Sequence, residues 1–160
     1  MDVHIVDDES FLRIIYVQMM NALNYQAQAF SCPDEYLKYM ASAAYSPPKL
    51  GILSDVNMPA MSGYELMAAV RKFYPHSRFI IATGSPKEPT LDESACYYLV
   101  KPVRLEALEK VLRGASRCNE SGARPDVIGC ESIDDRREFC VNEWKCAGNS
   151  NQLGGTLGST

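Results

Sequence analysis

A chain of 160 residues, 46% of them hydrophobic, is long enough for one domain with a full core and an appendage, and too short for two large domains. Its net charge of -4 and pI near 5.2, with no basic stripe, exclude a sequence-independent grip on nucleic acid, which needs clustered Lys and Arg to displace counterions. The first residues reach Asp7 and Asp8 before an apolar run of signal length forms, and no stretch approaches a membrane span. The chain is therefore expected to be cytoplasmic, with its six cysteines reduced rather than paired in a disulfide framework.

Residues 3–6 form a short β-rich run ending at Asp7 and Asp8, after which Leu12, Ile15, Tyr16, Met19 and Leu23 fall on one helical face. Residues 27–30 are a weaker strand. Ser31 and Asp34 then stand at capping-box spacing before a helix carrying Tyr36, Leu37 and Met40, which Pro47 and Pro48 close off. Residues 50–54 are a third apolar strand, stopping at Asp55. Beyond a Met58-Pro59 loop the periodicity predicts a helix over 62–73 with Leu66, Met67, Val70 and Phe73 facing inward, and Pro75 limits it. A fourth strand over 79–82 ends at Thr83-Gly84-Ser85, and a fifth over 97–100 ends at Lys101-Pro102. Leu105, Leu108, Val111 and Leu112 stripe the last helix.

Strands alternating with helices through short connections imply an α/β fold, a doubly wound parallel sheet of five strands covered by helices on both faces. Right-handed crossovers leave few topologies open. Past about residue 116 the pattern changes to a polar stretch over 119–124 and a Gly, Ser, Asn and Thr run over 149–160. The division expected is a main domain over 1–116 and a cysteine-containing extension over 117–160.

In such a sheet, sites form beyond the carboxyl ends of the strands. Those ends carry Asp7, Asp8, Asp55, Thr83 and Lys101. Clustered carboxylates repel one another and persist where a hard cation neutralises them through oxygen ligands, for which Mg²⁺ is the natural candidate. Such an ion could stabilise charge on a phosphoryl group passing to Asp55, with Lys101 contacting one phosphoryl oxygen and Thr83 another. Taken singly, Asp7-Asp8 reads as a solvated loop or helix cap, and Lys101 before Pro102 as a common turn. Jointly they outline a phosphoaspartate site. His4 and His76 read as strand and loop residues without a catalytic role.

Asp7-Asp8, Asp55-Val56-Asn57-Met58-Pro59 followed by Met61 and Gly63, Thr83, and Lys101-Pro102 together resemble the receiver domain of bacterial two-component response regulators, over roughly residues 1 to 116. The resemblance implies a flavodoxin-like strand order, 2-1-3-4-5. It further implies that Asp55 accepts a phosphoryl group from a histidine kinase or phosphotransfer protein, and that Asp8, Asp55 and the Asn57 main-chain carbonyl hold Mg²⁺, Asp7 acting mainly through water. Thr83 would be the switch hydroxyl and Tyr98 the switch aromatic. The protein would then be a signalling switch rather than an enzyme, reporting to a protein partner, with dimerisation open and no direct contact with nucleic acid or insertion into a membrane.

Two regions depart from that pattern. The stretch from Thr83 to Lys101 is shorter than in a typical receiver and is interrupted by Pro86 and Pro89, which predicts a short or distorted helix there. Cys118, Cys130, Cys140 and Cys146 crowd the extension without any C-x-x-C pair, so the zinc signal is weak. Ser132 and Asp135 have capping-box spacing, and Ile133, Cys140, Val141 and Trp144 could share one apolar helical stripe that docks on the main domain or on another subunit. Two alternatives stay open at this point: a metal- or redox-sensing adaptor working through these cysteines, and a scaffold that binds its partner regardless of phosphorylation.

Overall fold

The computed structural model describes residues 1–84, 95 and 97–120. In chain order these form β1 (Val3–Val6), α1 (Ser10–Ala22), β2 (Ala27–Phe30), α2 (Pro33–Met40), β3 (Gly51–Asp55), α3 (Gly63–Phe73), β4 (Phe79–Thr83), β5 (Tyr97–Val100) and α4 (Leu105–Glu120). The strands pair in parallel in the order β2-β1-β3-β4-β5, the doubly wound arrangement expected from the sequence. Register brings Val6 beside Ser54, Asp55 beside Ala82, and Thr83 beside Val100. The carboxyl ends of four strands therefore finish at one edge of the sheet.

Strand side chains alternate between two cores, as the period of two requires. Val3, Ile5, Leu53, Ile80, Ala82, Tyr97 and Leu99 pack with Tyr16 and Met20 of α1 and with Leu108, Val111, Leu112 and Ala115 of α4. Val6, Phe30, Ile52, Phe79, Ile81 and Tyr98 pack on the other face with Tyr36 and Met40 of α2 and with Leu66, Met67 and Val70 of α3. The expected inward stripes hold in their centres. Both fail at one end: Phe73 in the last turn of α3 is 72% exposed and Leu105 in the first turn of α4 is 38% exposed. Each lies in a terminal turn of its helix, where the apolar stripe reaches solvent.

The cap of α2 also differs from the expected pairing of Ser31 with Asp34. Cys32 is the N-cap, its Sγ accepting from the Glu35 N–H at 3.4 Å, with Pro33 opening the helix. Glu35, one residue beyond Asp34, reaches back to the Ser31 N–H and hydroxyl, both at 2.6 Å. The sequence places the donors and acceptors within one turn, but φ/ψ decides which residue is Ncap. At the other end of the chain α4 runs on to Glu120, past the change in composition near residue 116, and takes in Cys118. The short helix expected after Thr83, and the extension with Cys130, Cys140, Cys146 and Trp144, lie outside the described residues.

His4 is fully buried on β1 and is ringed edge-on by Phe30, Tyr36, Tyr39 and Tyr45, with centroids 5.6 to 6.2 Å away. Its Nδ1 pairs with the Tyr36 hydroxyl at 3.1 Å, while Nε2 is buried without a hydrogen-bond partner. This is the strand role expected from the sequence. Burial, with the N-terminal positive charge as a smaller cause, holds the imidazole down to about 4 from 6.5. The unfolded chain thus binds a proton that the folded chain refuses, so this term lowers stability as pH falls from about 6.5 to about 4 and is constant below that. The stability of the wild type relative to His4→Phe should accordingly fall by on the order of 3 kcal/mol across that window. Urea denaturation of both proteins at a series of pH values measures it, and parallel curves would contradict it.

Candidate functional site

Asp7 continues the β1 ladder by one bond, its N–H donating to the Phe30 carbonyl at 3.2 Å, and its side chain is buried. The turn that follows is local: Asp7 Oδ1 accepts the Glu9 N–H at 2.8 Å, an Asx-type bond that suits Asp at a strand-to-helix junction. Arg13 then reaches back from α1, donating to the Asp7 carbonyl at 2.7 Å and the Asp8 carbonyl at 3.0 Å. The sequence reading missed Arg13. Its only signal is a cation about one turn into the helix that follows an acidic strand end.

Asp55 is the last residue of β3 and is buried. Behind it the chain is held tightly. The Val56 N–H donates to the Ala82 carbonyl at 3.2 Å, the Ser54 hydroxyl donates to the Asp55 carbonyl at 3.0 Å, and the Gly63 N–H donates to the Val56 carbonyl at 3.0 Å. At Gly63 a Cβ would run into the Asp55 carbonyl oxygen, so glycine is needed for close approach. The loop between them makes a tight turn, with a Met61 N–H to Pro59 carbonyl bond of 2.8 Å across Ala60, whose φ is 68°. Ser62 then starts α3 with a reciprocal capping box to Glu65.

From these anchors three carboxylates converge: one oxygen from each of Asp7, Asp8 and Asp55 lies within 4.8 Å of the others. Lys101 follows β5 and its N–H donates to the Thr83 carbonyl at 2.8 Å. Its Nζ lies 2.8 Å from Asp55 Oδ1 and 3.9 Å from Asp7 Oδ2. Burial pushes the Asp7 carboxyl up to about 6; the Glu9 N–H and Lys101 oppose this, and Asp55 and Asp8 add to it. Asp7 Oδ2 is buried without a hydrogen-bond partner. An oxygen-only donor set with surplus negative charge and a buried oxygen that makes no hydrogen bond fits a hard divalent cation and not a soft one.

Asp7, Asp8, Asp55 and Lys101 are thus brought together as the sequence led one to expect. Thr83 ends β4, buried, one residue beyond the partner of Asp55. Tyr98 is buried in the apolar cluster that includes Leu66, Met67 and Val70 of α3. Asn57 lies exposed in the loop two residues after Asp55.

Comparison with known proteins bears on this arrangement. Residues 3–113 match the response regulator receiver domain family. The two-component response regulator ARR14 of Arabidopsis thaliana is 31% identical over 137 residues, covering 83% of this chain and 35% of that protein. The response regulator protein FleR of Pseudomonas aeruginosa is 29% identical over 108 residues, covering 65% of this chain and 22% of that protein. The chain therefore spans about a third or less of the length of these relatives. Among solved structures, the chemotaxis response regulator CheY4 of Vibrio cholerae superposes with a TM-score of 0.61 at 28% identity, covering 71% of this chain and 97% of that one.

Two stability changes follow from the site's geometry. The raised Asp7 carboxyl takes up a proton more readily when folded, so it favours folding increasingly as pH drops from about 6 to 3.8 and costs stability above that range, opposite in sign to His4. Asp7→Asn should therefore stabilise the protein at pH 7 in the presence of a chelator, by on the order of 2 kcal/mol. Gly63→Ala should destabilise it by about 1–3 kcal/mol, because the new methyl group meets backbone rather than a yielding side chain. Chemical denaturation of both variants tests the two signs.

Proposed function

The chain belongs to the response regulator receiver domain family, and on that footing we propose that Asp55 accepts a phosphoryl group from a phosphohistidine on a sensor histidine kinase or phosphotransfer protein. The observation that carries this reading is the Asp55 carboxylate at the end of β3, touched by Lys101 at 2.8 Å and crowded by two further carboxylates. Lys101 grips Oδ1, which leaves Oδ2 of Asp55 as the attacking atom. A P–O bond forms there as the P–N bond to the donor imidazole breaks, and the imidazole keeps the electron pair of that bond.

Asp8, Asp55 and the Asn57 main-chain carbonyl would hold Mg²⁺, with Asp7 acting mainly through water, and the ion would offset the carboxylate repulsion and the charge of the incoming phosphoryl oxygens. The residues of the chain do the rest. Lys101, tethered through its N–H to β4, moves from the carboxylate to a phosphoryl oxygen without leaving the site. Arg13 holds the backbone of Asp7 and Asp8, so the acids keep their spacing while the charge between them changes.

Phosphorylation adds about -1.5 to -2 charges and strong acceptor oxygens, toward which the Thr83 hydroxyl turns. Tyr98, buried behind Thr83 on the neighbouring strand, takes up the space so vacated. A partner that binds the two arrangements with different affinity reads the change as a signal. Among the described residues no helix is long and apolar enough to cross a membrane.

Incubating the full chain with acetyl phosphate and Mg²⁺ should add one phosphoryl group by intact mass, and chelation should prevent it. Asp55→Asn should remain unlabelled; labelling equal to wild type would overturn the assignment. Lys101→Ala should slow labelling by about tenfold or more, the factor that corresponds to ~1.4 kcal/mol of lost transition-state stabilisation.

A further inference from the structure

At the end of the sheet opposite the carboxylates, an open cleft of about 380 Å³ lies between the start of β3 and the end of α3. Pro48, Phe73, Tyr74 and Pro75 supply its apolar lining, with His76 and Arg78 at its edge. Phe73 is a large apolar side chain left 72% exposed beside it, and Lys72 immediately precedes it. Lys49, whose ammonium pairs with Asp2 at 3.6 Å, also lines it, so the basic character of the rim comes mainly from Arg78. Nothing in the phosphoacceptor chemistry uses this end of the molecule.

We propose that this cleft is the docking site for the chain's own segment 131–144, with Trp144 seated against Phe73 and Tyr74. Three observations select that occupant. The first is position: α4 starts at the carboxylate edge and, at about 24 Å for its 16 residues, carries the chain to the opposite end of the sheet. Leu50, which lines the cleft, belongs to the same apolar cluster as Leu112 and Ala115 near the end of α4. The stretch from Glu120 to Trp144 can extend to about 80 Å, which is ample for the crossing.

Charge is the second observation. Glu131, Asp134, Asp135, Glu138 and Glu143 stand against only Arg136 and Arg137 in the segment, so an acidic stretch would face a basic rim. The third is chemistry. Ile133, Val141 and Trp144 recur at helical spacing, and a cleft walled by prolines and aromatic rings suits an indole, which supplies a large contact area with few rotatable bonds. This inference is independent of the phosphoacceptor reading: either can fail without the other.

Trp144 is the chain's single tryptophan, so its fluorescence reports this contact alone. In the 160-residue chain its emission should be blue-shifted, and acrylamide should quench it severalfold less than in urea. Both properties should be independent of protein concentration. Phe73→Glu replaces an exposed side chain outside the phosphoacceptor site; it should keep the far-UV circular dichroism and the acetyl phosphate labelling of the wild type while shifting Trp144 emission to the red and removing its protection from quencher. Solvent-like emission in the wild type would overturn the proposal. So would protected emission that Phe73→Glu leaves unchanged, since Trp144 would then be packed elsewhere. Protection lost on dilution would assign the cleft to the tail of a second copy and overturn docking within one chain.

Discussion

Three carboxylates held within 4.8 Å of one another, two of them buried, are an arrangement that folding alone opposes, because desolvation and mutual repulsion act against charge in the same place. The surrounding structure is organised around that opposition. Lys101 crosses from the end of β5 to the end of β3 to supply the opposing charge, and its backbone bond to Thr83 fixes the starting point of that reach. Arg13 and the Glu9 N–H neutralise carbonyl and carboxylate oxygens at β1. The carboxylate repulsion is gathered at one edge of the sheet. Elsewhere the central strands are buried between two largely hydrophobic clusters that stabilise the fold around the site.

The same geometry explains why so much of the fold could be read in the residues. Apolar runs such as 97–100 are short and, except for the exposed Val100, buried, so their limits show in composition, and β5 begins and ends where expected. The converging acids were legible because parallel strands in register must finish at a common edge. What escaped depends on three-dimensional termini. Phe73 continues the phase of Leu66, Met67 and Val70, yet it is left exposed, and periodicity carries no information on where packing stops. The Cys32 cap depends on backbone angles that Ser31 and Cys32 could each have adopted. Arg13 acts through main-chain carbonyls, which leave no trace in the pattern of side chains.

The two faces of the sheet divide the work unequally. Beneath α1 and α4 the core is almost wholly apolar, with Tyr16 the main exception near the acids; burial and the nearby Asp7 and Asp55 charges raise its hydroxyl well above the usual tyrosine value and so keep it neutral. Beneath α2 and α3 the packing carries hydroxyl and imidazole groups: Tyr36 bonds His4 and lies 3.4 Å from the Tyr45 hydroxyl, and Tyr45 packs on Tyr74 at 5.1 Å. This chain of rings runs from β1 out to the last residue of the α3 turn, beside the cleft. A directional, hydrogen-bonded network holds one arrangement more tightly than an aliphatic core of equal size would.

Gly63 pressed against the Asp55 carbonyl has a consequence for how this site could change over time. The loop of residues 56–62 is pinned at both ends by main-chain contacts, while Asn57, Pro59 and Ala60 between the pins point to solvent. Substitutions at those three positions alter what approaches the acceptor without moving the strand that carries it. Under the proposed assignment of Asp55 as phosphoacceptor, the lifetime of the phosphoryl group and the choice of donor would be open to gradual adjustment there, while Gly63, against the Asp55 carbonyl, is closed to it.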